Sequence, residues 1–418
     1  MIFTTFDIIV YSSILIGFFA ASFYVLTFIA SFKKKPLQFR DSELPKVTVV
    51  IPAWNEGKST ASTLKSILDS NYPNFEVVFV DNNSQDDTYK IAKKFESDSR
   101  IRVFREKRQG KACAVNLGIS KATGEIIFTM DADTRVEPES MKKMVRYFKN
   151  PRVMSVTPAM LIDSRPEMKH TILQRVQQIE YYLGVFLRKV FASLNAIYIA
   201  PGAFSAYRKS FFDKYGGYDE SNIVEDLEMA MRIQSKGYYT ENAPTAAIYT
   251  LGPAKFKALT VQRIRWYWGL VKNFWAYRHM VNRKFGDLGL MVMPIGWITI
   301  LFSMFLLIRT LIYSLHYAIK EVIFLNSVNF NLSGILDVTW YGIERWAFEF
   351  FSYPVVPLML FTIILVFGYL KYASFSTGKI SNMKTNLFLF FLLFGPMFIY
   401  WWTLSFFKAI FKQKVKWR

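Results

Sequence analysis

The sequence predicts an α/β domain inserted between transmembrane α-helices. Uncharged apolar runs lie near both ends of the 418-residue chain, and strand-like and helix-like segments alternate between them. Hydrophobic residues make up 52% of the chain and aromatic residues 17%, which is high for a purely soluble protein. We therefore divide the chain into four parts: a membrane anchor at 1–34, the α/β domain at 45–285, C-terminal transmembrane helices at 286–410 and a basic tail at 411–418.

The first apolar run extends from Ile8 to Phe32 and contains no charged residue. It is long enough to cross about 30 Å of hydrocarbon. No basic segment precedes it, so we interpret it as an uncleaved anchor rather than a cleaved signal peptide. Three lysines at 33–35 and Arg40 follow directly. Because positive residues favour the cytoplasmic side of a membrane, we expect the next domain to be cytoplasmic.

Within the α/β domain, short apolar strands alternate with helix-compatible stretches. We predict strands at 47–52, 75–80, 101–104 and 125–130, and helices at 58–69, 89–97 and 112–122. This order predicts a parallel sheet with helices on both faces. Ligands of such sheets bind beyond the carboxyl ends of the strands. Asp81 and Asp131 follow two of these strands, so a nucleotide site is expected there.

Three apolar runs predict the C-terminal spans, at 288–307, 353–370 and 387–407. Gly395-Pro396 interrupts the last run and could kink it or make it re-entrant. Three spans after a cytoplasmic domain would leave the C-terminus outside, whereas the basic tail favours the inside. A re-entrant segment or a further span within 311–352 would resolve this conflict, and the sequence leaves both open.

Two further segments, 173–194 and 260–281, mix large apolar side chains with Gln, Arg and Lys. This composition predicts helices lying along the headgroups, with core-packing surface helices as the alternative. The net charge of +20 suits anionic headgroups or a phosphorylated substrate, and the membrane segments argue against nucleic acid. The single cysteine, Cys113, excludes an intramolecular disulfide, and one cysteine with three histidines leaves no plausible zinc cluster.

An acidic pair follows the fourth predicted strand directly. Asp131 and Asp133 are separated by one residue, so both carboxylates can reach one divalent cation at the strand end. Mg²⁺ or Mn²⁺ held in this way would also bind two phosphates and neutralise a diphosphate leaving group. The alternative is a solvated acidic turn.

Small polar turns close the first two strands, with Pro52, Ala53, Asn55 and Glu56 after the first and Asp81 after the second. There the backbone can approach a nucleotide, and Asp81 can accept hydrogen bonds from a base or ribose. The alternative is an ordinary turn followed by a helix N-cap such as Ser84 or Asp86. Lys111 opens the third helix, where the backbone dipole and the ammonium together favour phosphate.

Glu225 and Asp226 start a helical stretch at 227–235 that Gly237 ends. Near an acceptor, the Asp226 carboxylate can take the proton of a sugar hydroxyl as its oxygen attacks an anomeric carbon. The alternative is that this aspartate only caps the helix. Gly202 lies upstream in a tight apolar turn that could admit an acceptor closely.

Gln262, Arg265 and Trp266 share one side of a predicted helix. Arginine offers two parallel donors to phosphate oxygens, and tryptophan offers an apolar plate to a sugar ring. The alternative is an anchor of Trp and Arg at the membrane interface.

In this order the motifs resemble those of glycosyltransferase family 2, and within it the membrane-embedded processive synthases of hyaluronan, chitin, cellulose and poly-N-acetylglucosamine. The resemblance covers roughly residues 45–285 and implies a GT-A fold and an inverting, metal-dependent single displacement. The segment Asp81-Asn82-Asn83-Ser84 stands where members often have Asp-Asp-Gly-Ser, so details of base recognition stay open.

The resemblance also implies roles for individual residues. It implies that Asp226 is the catalytic base, with Glu225 beside it. It also implies that Asp133 and Asp131 bind Mg²⁺ or Mn²⁺. Gly202 and Trp266 would contact the acceptor. The implied UDP-sugar contacts are Pro52, Ala53, Asn55, Glu56, Asp81, Lys111, Asp131, Gln262 and Arg265.

Three functions follow as hypotheses. The favoured one is extension of a β-linked polysaccharide from a UDP-sugar carrying a hexose or N-acetylhexosamine, coupled to export across the cell membrane. The second is transfer of one sugar to a membrane lipid, as in ceramide glucosyltransferases. The third is a transporter or receptor that binds nucleotide without catalysis, which the ordered carboxylates disfavour because binding alone needs no base. The resemblance also allows for a small membrane partner protein, in addition to the lipid bilayer.

Overall fold

The computed structural model describes residues 5–31, 43–165, 169–327, 339–352, 355–377, 382–411 and 413. The basic cluster at 33–35, Arg40 and nearly all of the basic tail lie outside the described residues. Thirteen α-helices are described in these ranges: α1 Thr5–Ser31, α2 Gly57–Leu68, α3 Thr88–Lys94, α4 Lys111–Lys121, α5 Ser140–Val145, α6 Ile172–Ser193, α7 Lys209–Tyr215, α8 Glu225–Ser235, α9 Phe256–Ala276, α10 Met293–Ser327, α11 Trp340–Ser352, α12 Val355–Thr377 and α13 Met383–Ile410.

Eight strands in the described ranges form one sheet: β1 Val47–Ala53, β2 Phe75–Asp81, β3 Ile101–Arg105, β4 Ile126–Met130, β5 Arg135–Val136, β6 Val153–Ile162, β7 Phe204–Arg208 and β8 Tyr239–Thr250. Their spatial order is β3-β2-β1-β4-β7-β6-β8-β5. The first four strands and the helices between them lie where the sequence predicts them. Helices α6 and α9 also cover most of the two segments that the sequence predicts as interfacial helices.

The prediction of a parallel sheet holds for the four strands at one end of the sheet but not for the sheet as a whole. Strands β3, β2, β1 and β4 are parallel, but β7 pairs antiparallel with β4, and β6 pairs antiparallel with β7. The sheet is therefore mixed. The antiparallel β7 has a consequence for the site, because its start lies beside the end of β4: the Asp131 amide donates to the Ala203 carbonyl over 3.0 Å.

Alternating residues of β1 supply two separate cores. Val49 and Ile51 are fully buried in an apolar cluster on one face of the sheet, and Val50 is fully buried in the cluster on the other face. A strand covered on both faces reads as a continuous apolar run, which is why the central strands are evident from the sequence. The buried sheet fixes the positions of the loops at its carboxyl edge.

The chain forms two compact units. One, which we call the sheet unit, comprises Thr27–Val292 and Tyr369–Arg418; the other comprises Met1–Leu26 and Met293–Gly368. In the sheet unit, α13 packs on α6 and α9. The Asn386 amide donates to the Gln178 side chain over 2.9 Å, and the Trp401 indole donates to the Thr260 hydroxyl over 3.0 Å. Buried polar bonds of this kind fix how these three helices pack.

Among the described residues, α13 alone is long and apolar enough to cross a membrane. Shorter apolar stretches lie at Leu15–Ser31, Leu288–Phe302 and Ile363–Phe375, within or next to the other spans that the sequence predicts. A single helix of this kind is weak evidence for a membrane protein, since a buried core helix passes the same test. The described helices give no support to a multi-pass topology.

Candidate active site

A cleft of about 1200 Å³ opens at the carboxyl edge of the parallel strands in the sheet unit. Residues of α6 and α9 contribute to its walls. All the residues that the sequence singles out as a site line this cleft except Asn55 and Asp81, namely Pro52, Ala53, Glu56, Lys111, Asp131, Asp133, Gly202, Glu225, Asp226, Gln262, Arg265 and Trp266. Segments more than two hundred residues apart in the chain, such as those of Pro52 and Trp266, are thus brought to one place.

Lys111 is the centre of an acidic cluster in the cleft. Its Nζ lies 2.6 Å from Asp131 Oδ1 and 3.5 Å from Glu225 Oε1. Burial alone would lower the Lys111 pKa, but the carboxylates of Asp131, Glu225 and Asp226 outweigh burial and raise it. Burial also raises the pKa of Glu225, which Lys111 opposes. The lysine therefore stays charged and ties the end of β4 to the start of α8.

The start of α8 presents Asp226 to the cleft. Its N-cap residue is Val224, which makes no side-chain cap, so Asp226 lies within the first turn and is not the cap itself. Negative side chains in a first turn are stabilised by the helix dipole. The Leu227 amide donates to Asp226 Oδ1 over 2.8 Å, and a Cβ at Gly202 would lie 2.8 Å from Oδ2. A side chain at position 202 would therefore force this carboxylate to move.

Asp131 and Asp133 form the acidic pair that the sequence predicts as a metal site. Burial, Asp131 and Glu56 raise the pKa of Asp133 to about 7, while Lys111 opposes them. Crowded carboxylates of this kind fit a cation. No group of three or more metal-ligating side chains occurs in the described part of the chain. A pair is what Mg²⁺ or Mn²⁺ needs when substrate phosphates and water complete its coordination.

Asp81 and Asn55 lie beside the cleft without lining it. Asp81 is fully buried, and Arg105 Nε donates to its Oδ2 over 2.9 Å. Asn55 has a φ of 54°. Its side-chain Oδ1 accepts from the Gln85 backbone amide over 2.8 Å, and its backbone amide donates to Ser84 Oγ over 2.9 Å. These contacts tie the loop after β1 to the loop after β2. A nucleotide role for either residue stays a prediction.

Arg263, which has no predicted role, positions the motif of Gln262, Arg265 and Trp266 on α9. Arg263 is 1% exposed, and its Nη2 donates to Glu180 Oε2 of α6 over 2.6 Å. Its guanidinium stacks on the Trp266 ring at 4.2 Å. Arg263 therefore fixes Trp266 and joins the two helical walls, while Gln262 and Arg265 line the cleft.

Residues 48–216 match the family model described as glycosyl transferase family 2. Over these residues the chain is similar to glycosyltransferase family 2. Relatives include the poly-beta-1,6-N-acetyl-D-glucosamine synthase of Staphylococcus epidermidis, 30% identical over 237 residues, which are 55% of this chain and 57% of that protein. The synthase of the same name from Staphylococcus aureus strain COL is 29% identical over 254 residues, covering 59% of this chain and 60% of that protein.

The fold of the chain also resembles that of a solved structure. This is the mannosyltransferase PcManGT from Pyrobaculum calidifontis in complex with GDP-Man and Mn²⁺. The two chains superpose with a TM-score of 0.55 and 21% identity, over 87% of this chain and 96% of the other. The likeness shows a shared glycosyltransferase fold. The curated synthases, in contrast, are matched over little more than half of their length.

Among the cleft residues that the sequence did not single out are Asn82, Tyr181 and Arg188. Asn82 Nδ2 donates to the Arg108 carbonyl over 2.6 Å, and its Oδ1 accepts from the Gly110 amide over 2.9 Å, so it positions the loop that precedes Lys111. The sequence contains a signal for Asn82 as a cleft residue, because it follows β2 directly at the carboxyl edge of the sheet. The other two are seven residues apart on α6 and so share a helical face, a spacing that the sequence offers.

Gly202→Ala is expected to lower the rate of sugar transfer by about 10²-fold, the usual cost of a misplacement near 1 Å in a catalytic site. The added Cβ would lie 2.8 Å from Asp226 Oδ2 and 3.0 Å from Lys111 Nζ, so one of the two must move. Initial rates with a radiolabelled donor measure the effect, and an unchanged melting temperature controls for folding. Wild-type rates would show that this close approach is not required.

Proposed function

We propose that this chain transfers a hexose or N-acetylhexosamine from a UDP-sugar to a growing β-linked polysaccharide, with inversion at the anomeric carbon. One observation carries the proposal: Asp226 lies at the same cleft as the Asp131–Asp133 pair, with Lys111 between the two sets of carboxylates. A cleft with a base on one side and a diphosphate site on the other suits group transfer. The names of the synthase relatives support a polysaccharide product.

The transfer is a single displacement. Asp226 takes the proton of an acceptor hydroxyl while that oxygen forms a bond to the anomeric carbon. On the opposite side of this carbon the bond to the diphosphate oxygen breaks, and UDP leaves with the electron pair. Attack from the side opposite to the leaving group inverts the configuration, so an α-linked donor gives a β-linked product.

The carboxylates at the end of β4 serve the leaving group. Asp131 and Asp133 would hold Mg²⁺ or Mn²⁺, which supplies neutralisation of the diphosphate charge when bound. Lys111 and Arg265 add positive charge to the same part of the cleft, and Gln262 offers amide donors. Its Oε1 is buried without a hydrogen-bond partner among the described residues, which leaves this acceptor available to a donor group of the ligand, such as a sugar hydroxyl.

The remaining predicted residues divide between donor and acceptor. Pro52, Ala53, Asn55, Glu56 and Asp81 are proposed for the uridine, on the loops that close β1 and β2. Trp266 is proposed as a platform for the acceptor sugar, and Gly202 as the point where the acceptor approaches Asp226. The ring of Trp266 is fixed by Arg263, which suits a platform because a rigid aromatic plate loses little entropy on binding.

The protein is proposed to work in the cell membrane, with residues 45–285 in the cytoplasm, where UDP-sugars are made. The support is the apolar surface of two helices in particular. Helix α13 meets the length and composition of a span, and α10 exposes a long set of large side chains: Leu311, Ile312, Tyr313, Leu315, Ile319, Val322, Ile323 and Phe324. Apolar surface of this extent calls for a lipid or protein cover. Coupling of synthesis to export is part of this proposal.

Membranes containing the full chain, supplied with radiolabelled UDP-N-acetylglucosamine or UDP-glucose and Mg²⁺ or Mn²⁺, test the proposal. Labelled high-molecular-weight polymer is the expected product. A labelled, organic-soluble glycolipid would show that the acceptor is a membrane lipid and not a polysaccharide. No incorporation with any UDP-sugar, while UDP still binds, would leave only a non-catalytic binding protein.

A further inference from the structure

An arginine of the cleft has no counter-ion among the described residues. Arg188, on α6, lines the cleft, and neither its Nε nor its Nη2 has a hydrogen-bond partner although both atoms are buried. By contrast, Lys111 in the cleft pairs with Asp131, and Arg263 on α9 pairs with Glu180. An unpaired buried charge is costly to the fold, so its presence points to a ligand.

Among the described residues, Arg188 makes no ion pair with the carboxylates of the transfer site. Burial lowers its pKa to about 10, and the group that opposes burial is Tyr181, not a carboxylate. Tyr181 lines the same cleft, and burial raises its pKa most, with smaller effects from Arg263, Glu180, Asp133 and Arg188. The donor diphosphate belongs with Asp131 and Asp133. The part of the cleft at Arg188 is therefore left for the acceptor.

The helix is built to accommodate this guanidinium. Gly184 precedes Arg188 by one turn, and a Cβ at Gly184 would lie 3.2 Å from Arg188 Nη1. Tyr181, Gly184 and Arg188 occupy one face of α6 by their spacing. The Nε and Nη2 atoms form the side-on edge of a guanidinium, which binds two oxygens of a carboxylate or phosphate in parallel.

We propose that Arg188 is the anion-binding residue of an acceptor subsite, and that the acceptor saccharide carries a carboxylate or phosphate group that pairs with this guanidinium. The inference rests on the proposed function, because it presumes that the cleft binds a saccharide acceptor. It goes beyond that function by assigning an acidic saccharide as the acceptor class.

Binding to the purified full chain, with UDP and Mn²⁺ present, tests the subsite. The probes are methyl β-D-glucuronide and glucose 6-phosphate as the two anionic sources, methyl β-D-glucoside as the neutral match, and dodecyl phosphate as a lipid phosphate. We expect at least one anionic saccharide to bind about tenfold more tightly than the glucoside. Equal affinities for anionic and neutral saccharides would overturn the proposal, and so would a preference for dodecyl phosphate over both anionic saccharides.

Three variants locate the effect. Arg188→Met should abolish the anionic preference, and Gly184→Ala should reduce it by displacing the guanidinium while keeping its charge. Lys189→Met, which removes a charge from the next residue on α6 outside the cleft lining, should retain the preference. The same loss in Lys189→Met would contradict a specific site at Arg188.

Two controls separate the possible failures. UDP affinity should be unchanged in Arg188→Met, and a matching loss of UDP binding would assign Arg188 to the donor instead. Without ligand, Arg188→Met should melt no lower than the wild type, because an unpaired buried charge does not stabilise a fold; a lower melting temperature would show a structural role. Absence of UDP binding by the wild-type chain would refute the proposed function itself, whereas UDP binding without anionic preference refutes only the subsite.

Discussion

Asp226→Asn is expected to lower the rate of sugar transfer by about 10²–10⁴-fold, the usual contribution of a general base. The asparagine side chain keeps the size of the carboxylate. Its Oδ1 can still accept the hydrogen bond that the Leu227 backbone amide donates to Asp226 over 2.8 Å. It cannot take a proton from the acceptor. UDP affinity should stay near the wild-type value, because the proposed task of Asp226 is proton removal and not nucleotide binding.

The measurement is initial transfer rate alongside UDP affinity for the purified variant. Asp213→Asn provides a matched control, since Asp213 is exposed on α7 and does not line the cleft. Wild-type turnover in Asp226→Asn would remove this residue from the role of base. A large loss of UDP affinity would instead indicate that the carboxylate organises the donor site through Lys111.

Asp133→Ala is expected to lower the affinity for UDP in the presence of Mn²⁺ by at least about 10–100-fold, the cost of losing even a supporting partner of a metal ligand. The metal dependence of binding should shrink with it. In the absence of metal the variant should bind UDP as well as the wild type or better, because one of the crowded carboxylates that repel a diphosphate is gone.

Titration of UDP with and without Mn²⁺ checks this result, with Asp213→Ala as the control for loss of an exposed carboxylate. A lower UDP affinity with Mn²⁺, together with an unchanged or higher UDP affinity without it, distinguishes a metal ligand from a residue needed only for folding. An unchanged response to Mn²⁺ in Asp133→Ala would place the metal elsewhere.

The carboxyl edge of the sheet could be predicted because its strands are plain in the sequence. Strands β1, β2 and β4 are almost fully buried on both faces, so they read as apolar runs, and the polar segments that follow them had to meet at one edge. That reasoning placed Asp131, Asp133 and Lys111 near one another. Only the structure shows that Lys111 bonds Asp131 and reaches Glu225.

The second half of the sheet could not be predicted in this way. Strand β6 contains Pro158, where its pairing with β8 shifts register, and proline is a poor sign of a strand because it cannot donate to the ladder. Strand β8 buries the polar Asn242, whose amide bonds Thr157 across the sheet. These strands depend on partners far away in the chain, and the directions of their pairing differ: β6 is antiparallel to β7 and parallel to β8.

Side-chain partners were equally beyond the sequence. Asp81 was assigned to a nucleotide by its place after β2, but its closest cation is Arg105, at 2.9 Å on the neighbouring strand. Arg188 looked like one of several basic residues on an amphipathic helix. Its position in the cleft depends on how α6 packs against α9 and α13, which the periodicity of α6 alone does not determine.

A structure of the full chain with UDP and Mn²⁺ bound tests the central claim most directly, because that claim is about where the donor lies. We expect the metal at Asp131 and Asp133, the diphosphate extending towards Arg265, and the uridine against the loops that follow β1 and β2. The Asp226 carboxylate should remain free of both metal and nucleotide, facing the space left for the acceptor. Density for UDP outside this cleft, or Mn²⁺ bound at Asp226 instead of at the Asp131–Asp133 pair, would contradict the account.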